Sequence, residues 1–157
     1  MSKEIFVAFA TQKGGIGKTS VTVLVASYLH YVKGYNVAVI DCDYPQNSIM
    51  DIREREIKLI SEDTYFKTLA CTPVDALDDA EQMLNEEEVK PDIVFFDLPG
   101  TLKSEGVVRT LAQMDYIFAP LSADRLVVES TLQFTSMFNE NLMTTGIAKA
   151  RGLHLFW

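Results

Sequence analysis

The chain has 157 residues, of which 48% are hydrophobic and 23% charged, and its formal net charge is −8. These values exclude a disordered or fibrous chain and predict one globular domain over residues 1–157. An acidic balance, with 14 Lys and Arg against 22 Asp and Glu, also disfavours a DNA-binding surface, because clustered basic side chains bind phosphate backbones. The cysteines Cys42 and Cys71 are too few for a disulfide framework, and no apolar run is long enough to export or anchor the chain, so we expect a cytoplasmic protein.

The first predicted unit is a strand, a loop and a helix. Residues Ile5–Ala10 form an uninterrupted apolar run, which is typical of a strand buried on both faces of a parallel sheet. The glycine-rich loop Gly14–Gly17 follows. Apolar residues then recur at helical spacing through Lys18–Lys33, and Gly34 is placed to cap the end of this helix.

Strands and helices continue to alternate along the rest of the chain. Residues 61–72 are ambiguous. The other predicted elements are strands at Asn36–Asp41, Asp92–Asp97, Tyr116–Ala119 and Leu153–Trp157, and helices at Gln46–Ile60, Pro73–Val89, Glu105–Gln113 and Arg125–Leu142. Such alternation predicts an α/β fold, with a doubly wound, mostly parallel sheet flanked by helices in three layers. Because the sequence stops on an apolar strand, we expect the domain to be truncated at its C-terminus.

The loop sequence QKGGIGKTS, residues 12–20, carries the strongest chemical signal. Its glycines let successive backbone N–H groups point at phosphate oxygens, and the following helix adds its positive N-terminal end. We expect Lys18 to contact the β- and γ-phosphates, Thr19 to ligate Mg²⁺ and Ser20 to contact the α-phosphate. A tight turn that merely needs glycine is the alternative, but the pattern arises by chance in on the order of one such sequence in a few thousand. The predicted nucleotide-binding residues are Gly14, Gly15, Ile16, Gly17, Lys18, Thr19 and Ser20.

Acidic residues end two of the predicted strands, and ligands gather at strand carboxyl ends in open α/β sheets. Asp41 and Asp43 are two residues apart, so their side chains are expected to point the same way, toward a cation or a water. Asp97 ends the apolar run Ile93–Phe96 in the Walker B manner, which delivers a carboxylate to the Mg²⁺ shell. Taken alone, the Asp pair is more often a turn cap. We expect Cys42, between the two acids, to be a packed core thiol.

With these three motifs in this order, the sequence resembles the ParA/MinD family of P-loop ATPases, whose deviant loop reads K-G-G-x-G-K-[ST]. The resemblance covers essentially the whole chain and implies ATP and Mg²⁺ as cofactors. It also implies that Lys13 reaches across a dimer to the partner's phosphates, that Asp41 supports the metal and that Asp43 positions the attacking water. The sequence departs from the family's D-x-D-P-Q segment by the insertion of Tyr44. The predicted catalytic residues are Lys13, Lys18 and Asp43, and the predicted metal-binding residues are Thr19, Asp41 and Asp97.

The resemblance also implies a function: a slowly hydrolysing homodimeric ATPase switch in plasmid, mobile-element or chromosome partitioning, stimulated by a ParB-like protein. The family's membrane-positioning branch uses a C-terminal amphipathic helix that this sequence lacks, so no membrane partner is expected. DNA would be bound only through a segment beyond this chain. Two alternatives stay open, namely a metabolic enzyme of the dethiobiotin synthetase-like P-loop group and a regulatory module that binds nucleotide without hydrolysing it.

Overall fold

The computed structural model describes residues 4–12, 15, 17–43, 46, 48–58, 65–150 and 152–157. Strands and helices alternate through these residues. The strands are β1 (Ile5–Phe9), β2 (Val37–Asp41), β3 (Lys67–Ala70), β4 (Ile93–Asp97), β5 (Tyr116–Pro120) and β6 (Leu153–Phe156). The helices are α1 (Lys18–Ser27), α2 (Ser48–Ile57), α3 (Ala76–Glu86), α4 (Val107–Ala112) and α5 (Arg125–Phe138).

The strands form one parallel sheet in the order β3-β2-β4-β1-β5-β6. From β1 the chain first builds the sheet toward β3, then returns through β4 and continues on the other side of β1. The carboxyl ends of β2, β4 and β1 consequently lie side by side. They form the carboxyl edge of the sheet, which is where open α/β sheets bind ligands.

Apolar side chains pack on both faces of this sheet. Successive strand residues enter opposite clusters: Phe96 packs with α3, α4 and α5, whereas Phe95 packs with α1 and α2. Burying each of these rings contributes roughly 1.5–3 kcal/mol. A strand covered on both faces has no solvent side, which explains the uninterrupted apolar runs in the sequence. The doubly wound, parallel α/β architecture predicted from the sequence is therefore confirmed.

The structure adds a strand that the sequence left ambiguous. Strand β3 lies at the sheet edge and pairs with β2 in the register Asp41↔Ala70. Its residues are exposed or half-buried, so it lacks the apolar run that identified the central strands. An edge strand forms its hydrogen bonds on one side only and needs little apolar surface.

Several local predictions are also tested. The predicted first helix is α-helical to Ser27 and continues as a π-helical turn, Tyr28–Val32, before Gly34 ends it with a φ of 74°. Cys42 is fully buried, as predicted. The predicted acidic helix begins at Ala76 rather than at Pro73. Among the described residues, no helix has both the length and the apolar character needed to cross a membrane.

Candidate functional site

The glycine-rich loop leads from β1 into α1. Gly15 and Gly17 have φ angles of 77° and 87°, in the left-handed region that favours glycine. Helix α1 begins at Lys18, directly after Gly17, and the Gly17 carbonyl accepts a hydrogen bond of 2.9 Å from the Val21 N–H. The positive end of the helix therefore meets the loop, as in an anion-binding site. Lys13, Gly14 and Ile16 lie outside the described residues, whereas Ser20 is exposed on the first turn of α1.

Thr19 and Asp97 meet where α1 approaches the end of β4. The Thr19 hydroxyl donates a hydrogen bond of 2.7 Å to Asp97 Oδ2. The second oxygen, Oδ1, is buried and has no hydrogen-bond partner in the described part of the chain. Because a buried unpaired oxygen costs free energy, this atom is suited to receive a donor such as a bound water.

Burial sets the protonation of Asp97. It raises the pKa of the carboxyl to about 6, an effect that the Thr19 hydrogen bond opposes and the neighbouring Asp41 carboxyl reinforces. Asp41 and Asp97 are register partners on adjacent strands, so the two carboxyls share one region of low polarity. A positive charge between the strand ends and the loop therefore stabilises the ionised form of the Asp97 carboxyl.

Lys18 supplies one such charge. The residue is 7% exposed. Burial lowers the pKa of its ammonium group, while the carboxylates of Asp97 and Asp43 raise it. The structure thus brings Lys18, Thr19, Asp43 and Asp97 to the same edge of the sheet.

Asp41 has a clear structural task. Its Oδ2 accepts hydrogen bonds from the Ile49 and Met50 N–H groups at 3.0 and 3.4 Å, and its Oδ1 accepts one from Asp43 N–H at 3.3 Å. Asp41 therefore holds the first turn of α2 against the end of β2. Burial raises the pKa of this carboxyl and the backbone hydrogen bonds oppose the rise. The metal role of Asp41 stays a prediction, and Tyr44, the inserted residue, lies outside the described residues.

The donor set at this site fits Mg²⁺. Among the described residues, no group of three or more His, Cys, Asp or Glu side chains is arranged to hold a metal. Mg²⁺ does not need such a cage, because it retains several waters and binds through one or two protein oxygens plus substrate phosphates. The Thr19 hydroxyl and the Asp97 carboxylate, with its unpartnered Oδ1, are oxygen ligands of that kind.

A pair of adjacent cysteines near the site was not predicted from the sequence. The Sγ atoms of Cys42 and Cys71 lie 3.8 Å apart, although the residues are separated by 29 positions. The hydrogen bond to Cys71 and burial raise the pKa of the Cys42 thiol. The proximity of the two cysteines follows from the β2–β3 register. Because β3 was not predicted, no signal in the sequence indicated that Cys71 would lie beside Cys42.

In this parallel sheet, the first strand leads through a left-handed glycine turn into a helix. A threonine on that helix forms a hydrogen bond with the aspartate at the end of another strand. These features define a P-loop nucleotide-binding domain. The match extends to a particular family. The chain belongs to the CbiA family, the CobQ/CobB/MinD/ParA nucleotide-binding domain, which matches residues 7–147. The family resemblance inferred from the loop and acidic motifs is therefore confirmed.

Solved structures support the same fold. A plasmid partition protein from Borrelia burgdorferi superposes with a TM-score of 0.63 at 19% identity, over 99% of this chain and 77% of that chain. A chain of the MinC:MinD cell division complex of Aquifex aeolicus gives 0.64 at 17%, over 96% and 67%. Cobyrinic acid a,c-diamide synthase from Mycobacterium smegmatis, solved with an ATP analogue and magnesium, gives 0.63 at 17%, over 98% and 70%. At these identities the likeness shows the fold alone, and none of the curated proteins matches the sequence.

Proposed function

We propose that the chain is an ATP-dependent switch that binds ATP with Mg²⁺, forms a nucleotide-bridged homodimer and slowly hydrolyses the ATP to ADP and phosphate. The observation that carries this proposal is the meeting of Lys18, Thr19 and Asp97 beside a glycine turn at the carboxyl edge of the sheet. The family to which the chain belongs binds nucleotides, which supports the same assignment.

Each residue at this edge has a defined task in the proposal. Lys18 offsets the charge of the β- and γ-phosphates, and Thr19 and Asp97 hold Mg²⁺, Asp97 through a water. When bound, the ion offsets charge on the phosphate oxygens. Asp43 orients the water that attacks the γ-phosphorus as the bond to the ADP oxygen breaks. The loop residues that contact the phosphates are Gly14, Gly15, Ile16, Gly17, Lys18, Thr19 and Ser20.

The dimer completes the site in the proposal. Lys13 of one subunit contacts the phosphates bound by its partner and offsets the charge that develops during transfer, as an arginine finger does. Asp41 supports the metal site from β2 while it caps α2. A stimulating ParB-like protein and a role in partitioning DNA rest on the family resemblance, and the fold shared with a plasmid partition protein is compatible with them.

Light scattering tests the switch directly. Mass is measured without nucleotide, with ADP and with ATP–Mg²⁺, for the wild type, Lys13→Ala and Asp43→Ala. We expect a dimer only with ATP–Mg²⁺, no dimer for Lys13→Ala and a persistent dimer for Asp43→Ala. Lys90→Ala is the matched control, because Lys90 is exposed and precedes β4, away from the loop. A mass that ignores nucleotide in every variant would contradict the dimer switch.

A metabolic enzyme is the second candidate, favoured by the fold shared with cobyrinic acid a,c-diamide synthase. The dethiobiotin synthetase-like P-loop enzymes are a second model for such chemistry. Steady-state phosphate release separates the two candidates. Turnover raised by DNA or by a partner protein supports the switch, whereas turnover that needs a small-molecule substrate supports the enzyme. Nucleotide binding without any phosphate release would instead support a regulatory module.

A further inference from the structure

The two cysteines of the chain lie side by side at the carboxyl edge of the sheet. Cys42 follows β2 and Cys71 follows β3, so they are the next pair after Asp41↔Ala70 in the strand register. Both are free thiols, and their Sγ atoms are 3.8 Å apart. We propose that Cys42 and Cys71 are a redox modification site, in which oxidation joins the ends of β2 and β3 through a reversible disulfide.

The backbone already holds the pair at a suitable distance. A disulfide requires an S–S distance of about 2.0 Å and a Cα separation of about 4.4–6.8 Å. Neighbouring strands run about 4.8 Å apart. The Cys71 N–H donates a hydrogen bond of 3.0 Å to the Asp41 carbonyl, which holds the two strand ends together immediately before Cys42. The sulfurs therefore need to approach by about 2 Å, a distance that side-chain rotation supplies without a change in strand pairing.

The two thiols differ in their access to an oxidant. Cys42 is fully buried, whereas Cys71 is partly exposed. Hydrogen peroxide is the oxidant that the proposal requires. The Cys71 sulfur attacks one peroxide oxygen, the O–O bond breaks, and a sulfenic acid and one water result. The Cys42 thiol then attacks the Cys71 sulfur, the S–O bond breaks, and the departing hydroxide takes the Cys42 proton and leaves as a second water. Overall, two thiols and one peroxide give one disulfide and two waters, and a dithiol reductant reverses the bond.

The modification would also reach the nucleotide site, a consequence that rests on the proposed function. Cys42 is flanked by Asp41 and Asp43, and its N–H donates a hydrogen bond of 2.9 Å to the carbonyl of Asp97. The disulfide ties the backbone between Asp41 and Asp43 to the end of β3, which restricts the adjustment of Asp43 toward a bound nucleotide. We expect the oxidised chain to bind ATP–Mg²⁺ at least fivefold more weakly than the reduced chain.

Thiol counting tests the bond independently of nucleotide. The full chain is treated with hydrogen peroxide at native pH, quenched, denatured and titrated for free thiols, and its mass is measured intact. We expect two thiols to fall to none, the mass to fall by that of two hydrogen atoms, the protein to keep its native oligomeric mass, and dithiothreitol to restore both thiols. Cys42→Ala and Cys71→Ala should each fail to form the intramolecular bond. Cys71→Ala should also keep its buried thiol at a peroxide dose that consumes both in the wild type.

Two results would overturn the proposal. One is retention of both thiols when exposed cysteine peptides of the same concentration are fully oxidised. The other is a disulfide found only between chains. Binding of a fluorescent ATP analogue to the oxidised and reduced protein is measured separately. If the bond forms and affinity does not change, the link to the nucleotide site is wrong; if neither form binds nucleotide, the proposed function fails while the thiol result stands by itself.

Discussion

The Thr19 hydroxyl donates a hydrogen bond of 2.7 Å to Asp97 Oδ2, which joins the first turn of α1 to the end of β4 across 78 residues of chain. The bond holds two side-chain oxygen groups together beside the glycine loop. It also fixes the Thr19 side chain on the side of the helix that faces the sheet. In the proposed function, Mg²⁺ binds the hydroxyl oxygen of Thr19, and Asp97 holds the ion through a water.

Removing the Thr19 hydroxyl tests this geometry. We expect Thr19→Ala to weaken Mg²⁺-dependent ATP binding at least tenfold, about 1.4 kcal/mol, because it removes the side-chain oxygen that the proposed function assigns to the ion. Thr19→Ser, which retains the hydroxyl, is the matched control. Affinity is measured with a fluorescent ATP analogue at several Mg²⁺ concentrations. If Thr19→Ala keeps the Mg²⁺ dependence of the wild type, Thr19 is not a ligand.

The raised pKa of Asp97 predicts a pH dependence of stability. The ordinary pKa is 3.8 and the folded value is about 6, so the carboxyl contributes stability that is fully present below about pH 4 and is lost as pH rises through about 6. The shift of about 2 units corresponds to roughly 3 kcal/mol at most. Without Mg²⁺, the unfolding free energy of the wild type should therefore fall between pH 4 and pH 7 relative to Asp97→Asn. Urea denaturation at each pH measures the unfolding free energy, and Glu88→Gln is the control at an exposed carboxyl. The prediction is contradicted if the unfolding free energies of the wild type and Asp97→Asn change with pH in parallel.

Ligand binding should show the opposite trend with pH. In the proposed function Asp97 holds Mg²⁺ in its ionised form, so affinity for ATP–Mg²⁺ is expected to rise from pH 5 to pH 7. Asp97→Asn should remove most of this rise along with much of the affinity. Isothermal titration in two buffers of different ionisation enthalpy at pH 6 detects the expected proton release, and equal heats in both buffers would count against it.

Sequence patterns predicted the central part of the fold because its signals are local. The apolar runs of β1 and β4 are long enough to identify buried strands. The glycine-rich loop before Lys18 can likewise be recognised from its own sequence, without reference to the neighbouring elements. Asp97 was predicted in the same way, as an acid at the end of an apolar run. These features position most of the candidate site.

The remaining features depend on contacts between distant parts of the chain. Strand β3 was missed because an edge strand with exposed and half-buried residues has no distinctive periodicity. The cap that Asp41 places on α2 depends on how the chain turns after β2, and the adjacency of Cys42 and Cys71 depends on the register between β2 and β3. No local pattern encodes a register between strands that are separated by a helix.

Asp41 provides a test that separates a cap from a metal ligand. Asp41→Ala leaves the buried Ile49 N–H without its partner, so we expect a loss of about 1–3 kcal/mol in the unfolding free energy without nucleotide. Asp41→Asn retains one acceptor oxygen and should lose less. The Mg²⁺ dependence of ATP binding is then measured in Asp41→Asn. A reduced dependence supports the predicted metal role, whereas an unchanged dependence limits Asp41 to capping α2.

Gly106, which precedes α4, predicts a sharp difference from another glycine of similar backbone conformation. Gly106 has a φ of 84°, and a Cβ there would lie 2.5 Å from the backbone of Pro73 and Val74; Gly34 has a φ of 74° with nothing within 4 Å. Gly34→Ala should cost about 1–2 kcal/mol from the left-handed conformation alone. Gly106→Ala adds a backbone clash worth about 1–3 kcal/mol more. Because 1 kcal/mol corresponds to about 2–4 °C at this size, Gly106→Ala should melt several degrees below Gly34→Ala in a thermal scan. Equal melting temperatures would mean that α4 moves away from the Pro73 turn at little cost in free energy. The 3.0 Å hydrogen bond from the Thr110 hydroxyl to the Pro73 carbonyl would then not hold the two segments together.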